Sequence, residues 1–231
     1  MHRMLISALV WSLLVLPAWA QETSVKPGIN NPFKNPDVKK FVETFEGESR
    51  EIFVQRERIA AVCDLKPGMQ VADIGAGTGL FTRIFAKKVG GDGQVYAVDI
   101  AAKFLEHIQK TCRDAGLKNV TPVLCNQDSV DLPPNSIDLA FVCDTYHHFE
   151  YPQRTLASLH RALKPGGRLV VVDFIRIQGQ SRDWVMNHVR AGQDVVEREI
   201  TEAGFRKTDE AKAMLHENYI VVFTKPAHRN K

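Results

Sequence analysis

Short runs of β-branched residues alternate with helix-forming stretches along most of the chain, and this alternation restricts the fold more than any other feature. Short apolar runs are typical of strands, and longer amphipathic stretches are typical of helices. Regular alternation of the two predicts an α/β fold, a parallel sheet with helices on both faces. The predicted series is 70–74, 80–88, 94–98, 103–115, 120–125, 137–143, 152–163 and 168–174.

The segments on either side of this series extend the pattern. Residues 38–63 carry apolar side chains at helical spacing, which predicts two helices broken near Gly47. Near the C-terminus, a helix over 195–203 precedes two short runs, 211–215 and 218–224. Because the link between these runs is short, they are expected to form an antiparallel hairpin at the edge of the sheet.

The first 20 residues have the layout of an export signal. Arg3 precedes an apolar run that ends before Pro17, and Ala18 and Ala20 form an A-x-A cleavage pattern. The run is shorter than the roughly 20 apolar residues that a membrane span takes. We therefore expect a signal peptide that is cleaved after Ala20 and a periplasmic or secreted protein. The alternative is an uncleaved N-terminus that tethers the protein to a membrane.

Behind this signal, the chain is expected to contain one domain. Residues 21–37 are rich in Pro, Gly and Asn, which predicts an extended lead segment without fixed structure. Residues 38–231 form the predicted domain. The net charge of +3 gives no basic face, so nucleic acid is not expected as a partner. The predicted strand positions keep the cysteines apart, which indicates buried free thiols at Cys63, Cys112, Cys125 and Cys143.

A glycine-rich loop, VADIGAGTG over 71–79, follows the first predicted strand and opens a helix. In this context glycine lets the backbone approach a nucleotide, because it lacks a Cβ and tolerates positive φ. Dinucleotide-binding loops have the spacing G-x-G-x-x-G, whereas Gly75, Gly77 and Gly79 are spaced G-x-G-x-G. The spacing disfavours a nicotinamide oxidoreductase.

Carboxylates near the loop indicate a cofactor that carries positive charge. Asp73 lies two residues before the loop, where it would repel a pyrophosphate and attract a cation. Asp99 ends the next strand, where a carboxylate accepts hydrogen bonds from both ribose hydroxyls. Ligands of open α/β sheets bind at the carboxyl ends of the strands. Five acids at or just after predicted strand ends predict an acid-rimmed pocket there: Asp73, Asp99, Asp128, Asp144 and Asp173.

Five motifs in this order resemble those of class I S-adenosylmethionine (SAM)-dependent methyltransferases of the type 11/25-like group, here in a form with an export signal. They are VADIGAGTG, the AVD of the second strand, QDSVDLP over 127–133, IDLAFVCDTYHHF over 137–149 and LKPGGRLVVVDF over 163–174. The resemblance covers residues 65–224 and implies SAM as cofactor. It also implies a Rossmann-like, doubly wound seven-stranded sheet of order 3-2-1-4-5-7-6, with strand 7 antiparallel.

The resemblance also implies which residues bind the cofactor. The glycine loop would line the methionyl part of SAM, and strand-end side chains would contact the ribose, the adenine and the ammonium or transferring methyl. The loop residues are Gly75, Ala76 and Gly77, with Gly79 in the same loop. The strand-end residues are Asp99 for the ribose, Asp128 and Ser129 for the adenine edge, and Asp144 for the ammonium or methyl.

Methyl transfer needs the acceptor in line with the methyl group and away from water, with a base only where the acceptor carries a proton. Tyr146, His147 and His148 follow the fourth strand, and His188 follows the fifth. They are the candidates for the base or for acceptor orientation, with packing or capping as the alternative for each. No metal site is expected, since adjacent histidines should diverge and no Cys pair has ligand spacing.

Two further segments are expected near the pocket. The helices over 38–63 would cover the cofactor as a lid, with Glu48, Arg50 and Phe53 able to face it. Residues 181–192 carry Trp, Met, His and Arg at helical spacings, which indicates either packing on the sheet or acceptor recognition.

The leading hypothesis is a methyltransferase that acts on a small-molecule or lipid-like acceptor, such as a thiol, a phenol or a quinol. The alternative is a SAM- or nucleoside-binding protein of the same fold without catalysis. A chain with an export signal is also expected to work near a membrane surface.

Overall fold

The computed structural model describes residues 21–227, so the predicted signal peptide lies outside the described residues. Within that range, seven strands form one sheet of order β3-β2-β1-β4-β5-β7-β6, which confirms the predicted order. β1 to β5 pair in parallel, and β7 is antiparallel to both of its neighbours. The strands are β1 (Gln70–Ile74), β2 (Gln94–Asp99), β3 (Val120–Leu124), β4 (Ile137–Cys143), β5 (Leu163–Phe174), β6 (Arg206–Glu210) and β7 (Asn218–Thr224).

Helices cover both faces of the sheet and precede it at the N-terminus. The predicted break near Gly47 is present, and the second predicted helix is itself divided at Gln55. Two short 3-10 turns span Asn31–Phe33 and Tyr146–His148. The α-helices are α1 (Val38–Phe45), α2 (Glu51–Val54), α3 (Arg56–Val62), α4 (Leu80–Val89), α5 (Ala102–Asp114), α6 (Pro152–Ala162), α7 (Asp183–His188) and α8 (Gln193–Glu202).

The central strands are apolar on both faces because helices cover each face. In β1, Val71 packs in one core cluster with Phe85, while Ala72 and Ile74 point to the opposite cluster. Successive side chains of a strand alternate between faces, so one run of buried residues supplies two cores. This packing fixes the carboxyl ends of β1, β2, β4 and β5 at one edge of the sheet.

Residues 21–36 have a defined structure, contrary to the expected lead segment without fixed structure. The Val25 N–H donates to the Glu150 carbonyl oxygen at 2.9 Å, and the Ser24 hydroxyl donates to the Glu150 carboxylate at 2.7 Å. The Asn30 side-chain amide donates to the His148 carbonyl oxygen at 3.1 Å. Composition indicates low intrinsic order, but these partners lie more than 100 residues away in the sequence.

The strand that pairs with β7 was predicted over 211–215 but is Arg206–Glu210. This edge strand is mostly exposed and polar, and it pairs through backbone hydrogen bonds, so it leaves no apolar pattern in the sequence. Residues 211–215 form the turn that leads into β7. The expected hairpin is present, with its first strand shifted.

Two further observations concern the cysteines and the length of the helices. All four cysteines are free, with Cys63 and Cys112 fully buried and the other two half-buried. From residue 21 to residue 227, none of the helices has both the length and the apolar character that a bilayer crossing requires.

Candidate active site

The loop after β1 turns at its glycines and lies against two neighbouring segments. Gly75 and Gly77 have φ of +68° and +53°, which glycine adopts without steric cost. The N–H groups of Gly75 and Ala76 both donate to the Val98 carbonyl oxygen of β2, at 2.8 and 3.1 Å. A Cβ atom on Gly75 would lie 2.2 Å from Cγ2 of Thr145. Only glycine fits where this loop passes between β2 and the segment after β4.

Asp99 lies beside this loop at the end of β2. Its carboxylate accepts hydrogen bonds from the N–H groups of Gly77 at 2.9 Å and Ala101 at 2.8 Å. Burial raises the pKa of this carboxyl to about 6, although the backbone N–H groups oppose the rise. Each carboxylate oxygen can accept a further hydrogen bond, and Asp99 lines the main cavity. The group is therefore placed to accept hydrogen bonds from a pair of hydroxyls.

Two further buried carboxylates follow the same edge of the sheet. Asp73 accepts a hydrogen bond from the Thr82 hydroxyl at 2.6 Å, and burial raises its pKa to about 6. Asp144 accepts from Arg50 at 2.5 Å and from the Asn218 amide at 2.6 Å. Burial raises the pKa of Asp144, and the Arg50 guanidinium opposes that rise. Both carboxylates line the cavity, which favours a ligand that carries positive charge.

The N-terminal helices cover one side of the cavity. Of the three residues expected to face it, Arg50 lines the cavity, and its guanidinium also lies 4.8 Å from the centre of the Phe45 ring. Glu48 is exposed to solvent. Phe53 lies instead under the Arg56 guanidinium, at 4.2 Å from its ring centre. The lid therefore meets the strand ends through the ion pair between Arg50 and Asp144.

The main cavity has a volume of about 660 Å³, within the range of small-molecule sites. It extends from the glycine loop to α7, so it reaches past the strand-end carboxylates. Much of its wall is aromatic, and the rings come from the lead segment, the lid, α4, α5, the loop after β4, the end of β5 and α7. These residues are Phe33, Phe41, Phe45, Phe81, Phe104, Phe149, Phe174 and Trp184.

Three of the predicted catalytic residues meet at the wall of this cavity. His147, His148 and His188 line it, and one ring nitrogen of each lies within 4.8 Å of the others. The ring centres of His147 and His148 are 4.3 Å apart. The expectation that these adjacent side chains diverge is therefore wrong, because both rings pack against His188 of α7, at 5.2 and 5.1 Å.

The surroundings of the three histidines limit what they can do. The Nδ1 atom of His147 lies 2.7 Å from Oδ1 of the buried Asp173, which fixes the ring. Burial, with the nearby His147, lowers the pKa of His148 to about 2 and that of His188 to about 4. Rings with such low pKa values accept protons poorly at neutral pH. The geometry therefore favours orientation or ligand binding over base catalysis for His148 and His188.

The geometry does not support a catalytic role for Tyr146. Its side chain is fully buried and is not among the residues that line the cavity. Its hydroxyl donates to the Glu199 carboxylate at 2.8 Å, and Arg190 pairs with the same carboxylate at 2.7 Å. The tyrosine therefore joins the turn after β4 to α8. Arg190 likewise contacts Glu199 inside the protein.

The predicted adenine-edge residues point in different directions. Ser129 lines the cavity, whereas Asp128 pairs with Arg154 at 2.7 Å and does not line it. Two neighbouring residues do line the cavity: Gln127, which begins the QDSVDLP motif but was given no role, and Asn126, which lies outside the motif. The sequence places this loop correctly, but it carries no signal for which of its side chains turn inward.

The remaining loop residues and Asp173 have different positions relative to the cavity. Ala76 lines the cavity with the first two loop glycines. Gly79 does not line it and directly precedes α4, where a Cβ would lie 2.6 Å from the Ile108 side chain. Asp173 was expected on the rim of the pocket and instead holds His147. Phe33 of the lead segment contacts the His148 ring at 5.0 Å, a contact that no sequence pattern indicated.

The doubly wound sheet, its glycine loop and the strand-end carboxylates define the class of proteins that bind a nucleoside cofactor across the carboxyl edge of β1, β2 and β4. Comparison with known proteins narrows this class. Residues 72–171 match the family described as a methyltransferase domain.

Two curated relatives are named ubiquinone/menaquinone biosynthesis C-methyltransferase UbiE. The protein of Burkholderia cenocepacia (strain HI2424) is 35% identical over 118 residues, which are 51% of this chain and 48% of that one. The protein of Bordetella parapertussis is 36% identical over 113 residues, 49% and 43% of the two chains. The chain thus spans just under half the length of these relatives.

Solved structures extend the similarity to most of the chain. A SAM-dependent methyltransferase from Aquifex aeolicus is 25% identical with a TM-score of 0.72, covering 82% of this chain and 99% of that one. The YcgJ protein from Bacillus subtilis has a TM-score of 0.62 at 15% identity and shows the shared fold.

Residues 72–171 thus match a methyltransferase domain, and the chain shares the fold of a SAM-dependent methyltransferase, which implies SAM as the cofactor. The residues present fit that cofactor. The glycine loop leaves no room for a Cβ at Gly75, Asp99 has free lone pairs toward the cavity, and Asp73 and Asp144 supply negative charge for the ammonium and the sulfonium.

Proposed function

We propose that this enzyme transfers the methyl group of SAM to a flat, apolar acceptor of the phenol or quinol class. The observation that carries the proposal is the aromatic wall of the cavity beside the three histidines, where Phe33, Phe174 and Trp184 lie. Flat rings pack against aromatic side chains in stacked or edge-on geometry. A simple thiol would leave most of this wall without a partner. The names of the two curated relatives, which concern quinone biosynthesis, agree with this choice.

In this proposal the residues of the chain divide the work along the cavity. SAM supplies a methyl group on a positively charged sulfur. Asp99 binds the ribose hydroxyls, and the backbone of the glycine loop lies along the methionyl part. Asp73 and Asp144 balance the positive charge. The lid and the aromatic wall keep water away and hold the acceptor in line, which is most of what methyl transfer from an activated donor needs.

A panel of acceptors tests the proposal directly. Purified protein is incubated with SAM and with phenols, quinols, thiols or amines, and release of S-adenosylhomocysteine is measured. Release that depends on a quinol or a phenol is the expected result. Release with thiols or amines alone would contradict the acceptor class. Tight binding of SAM without release in any reaction would instead favour the second candidate, a SAM-binding protein without catalysis.

Trp184 offers a test within the acceptor side of the cavity. Its ring is half-exposed, stacks on His188 at 4.6 Å and lines the cavity. We expect Trp184→Ala to raise the KM for the acceptor by about 2- to 10-fold, the range of one aromatic contact, with unchanged SAM affinity. Ile177→Ala is the matched control, because Ile177 is similarly exposed and does not line the cavity. Equal effects in both variants would contradict the proposed acceptor position.

We also propose that the protein works outside the cytoplasm, close to a membrane. The layout of the first 20 residues supports export, and an apolar acceptor of the quinol class would be found in a membrane. N-terminal sequencing of protein purified from its host tests the first part. A chain that begins at Gln21 would support cleavage, and a chain that begins at Met1 would exclude it.

A further inference from the structure

The three histidines at the cavity wall form a cluster with the composition of a metal site. His147 and His148 come from the 3-10 turn after β4, and His188 comes from the end of α7. Their ligand atoms lie within 4.8 Å of one another. Imidazole nitrogen is a preferred ligand of Zn²⁺ and similar divalent ions. Methyl transfer from SAM does not by itself require such a cluster.

One separation inside the cluster, between His148 and His188, suits a bound ion better than a hydrogen bond. The Nε2 atoms of His148 and His188 face each other at 3.4 Å. This is longer than the usual N–H hydrogen bond of about 2.7–3.2 Å. Two nitrogens that bind one tetrahedral Zn²⁺ at about 2.0–2.1 Å lie about 3.3–3.4 Å apart. The observed separation therefore equals that of two ligands of a single ion.

The atoms around the cluster orient its rings as they are oriented in metal sites. Asp173 holds the Nδ1 atom of His147, which leaves Nε2 as the nitrogen free to bind. A histidine ligand characteristically donates its other ring N–H to a carboxylate in this way. Trp184 stacks on His188 at an angle of 20°, which fixes that ring as well.

We infer that His147, His148 and His188 bind one divalent transition-metal ion of the Zn²⁺ class at the acceptor side of the cavity. Among the described residues, no fourth Cys, His, Asp or Glu joins the cluster. Three protein ligands leave at least one coordination position open, as in catalytic zinc sites. The histidines line the cavity, so this position faces it. That it receives the oxygen of a phenol or quinol rests on the proposed function, whereas metal binding does not.

Cobalt titration tests metal binding without SAM or an acceptor. The full chain is treated with a chelator, dialysed and titrated with Co²⁺ alone, and visible absorption is recorded. We expect d–d bands that saturate at one equivalent. Calorimetry with Zn²⁺ should give the same stoichiometry. Absence of both signals in folded protein would overturn the inference.

Variants at His188 show whether the cluster holds the ion. His188 is half-buried, so its replacement is tolerated better than that of the buried His147. We expect His188→Ala to weaken Zn²⁺ binding at least about 100-fold, since even outer partners contribute about 10- to 100-fold. His188→Cys should retain one equivalent of Co²⁺ and add near-ultraviolet thiolate charge-transfer absorption. His107→Ala is the control, because His107 on α5 is outside the cluster.

The outcomes of these variants separate the site from adventitious binding. Equal Zn²⁺ affinity in His188→Ala and His107→Ala would overturn the assignment, as would Co²⁺-bound His188→Cys without thiolate absorption. Azide, a small anion that binds open positions, should shift the d–d bands of the wild-type protein. Unchanged bands would overturn the open position. None of these measurements depends on methyl transfer. Failure of metal binding can therefore be told apart from failure of the proposed function.

Discussion

Protonation of Asp99 should control SAM affinity. The buried carboxyl has a pKa of about 6, and the proposed contact needs its ionised form, because an ionised acceptor makes the stronger hydrogen bonds to hydroxyls. At pH 7 about nine-tenths of the protein is in that form, and at pH 5 about one-tenth. We therefore expect the Kd for SAM to rise about tenfold between pH 7 and pH 5, with roughly tenfold per further unit below.

The raised pKa of Asp99 also predicts how the free energy of unfolding of the unliganded protein depends on pH. Because the folded pKa of about 6 exceeds the ordinary value of 3.8, the folded state holds its proton more tightly than the unfolded state. The resulting stabilisation is fully present below pH 3.8 and is lost as the pH rises through about 6. Between pH 5 and pH 7.5, Asp99 should lower the free energy of unfolding by about 1.4 kcal/mol. Asp99→Asn should lack this loss.

Isothermal titration calorimetry from pH 5 to pH 7.5 measures the affinity, and urea unfolding at both ends of that range measures the stability. Asp99→Asn is expected to bind SAM weakly and with a flatter pH dependence. Asp73 has a similar pKa and is also proposed to balance the charge of SAM, so Asp73→Asn measures the part of the pH dependence that comes from this second buried carboxyl. A wild-type Kd that is constant over this range would refute the reasoning. A full pH dependence retained in Asp99→Asn would assign it to another group.

Two further predictions concern the loop and the buried tyrosine. Gly75→Ala should abolish SAM binding, since its Cβ would lie 2.2 Å from Thr145, whereas Gly68→Ala, at similar positive φ in open space, should lose stability but retain SAM binding in calorimetry. Tyr146→Phe should retain the acceptor-dependent rate and lose about 1.5–3 kcal/mol of unfolding free energy in urea, because its hydrogen bond to the charged Glu199 is removed. A Tyr146→Phe variant with normal stability and little activity would restore Tyr146 as a catalytic candidate.

The cofactor half of the site was largely predictable because it depends on local order along the chain. A parallel sheet places the carboxyl ends of its strands at one edge, so residues that end strands come together whatever the loops between them do. Asp73, Asp99 and Asp144 were found in this way, and all three line the cavity. The edge strand β6 was misplaced because backbone pairing at an exposed edge needs no apolar side chains.

The acceptor half was not predictable to the same degree, because it is built by side-chain direction and by contacts between distant segments. Asp128 follows β3 as expected but turns to Arg154 instead of the cavity. The lead segment is anchored through Glu150, a contact that composition does not indicate. Neither result is encoded in the periodicity of the chain.

By itself, the sequence determined the strand–helix alternation, the glycine loop and the acids at the strand ends, since periodicity, spacing and charge are local properties. The strand order and the cofactor followed from the resemblance of its motifs to those of class I SAM-dependent methyltransferases. Only the tertiary structure decided that His147, His148 and His188 form one cluster, with Asp173 behind it. These four side chains come from the turn after β4, the helix α7 and the end of β5. Their distances depend on how α7 packs against the sheet, and that packing follows from the whole core.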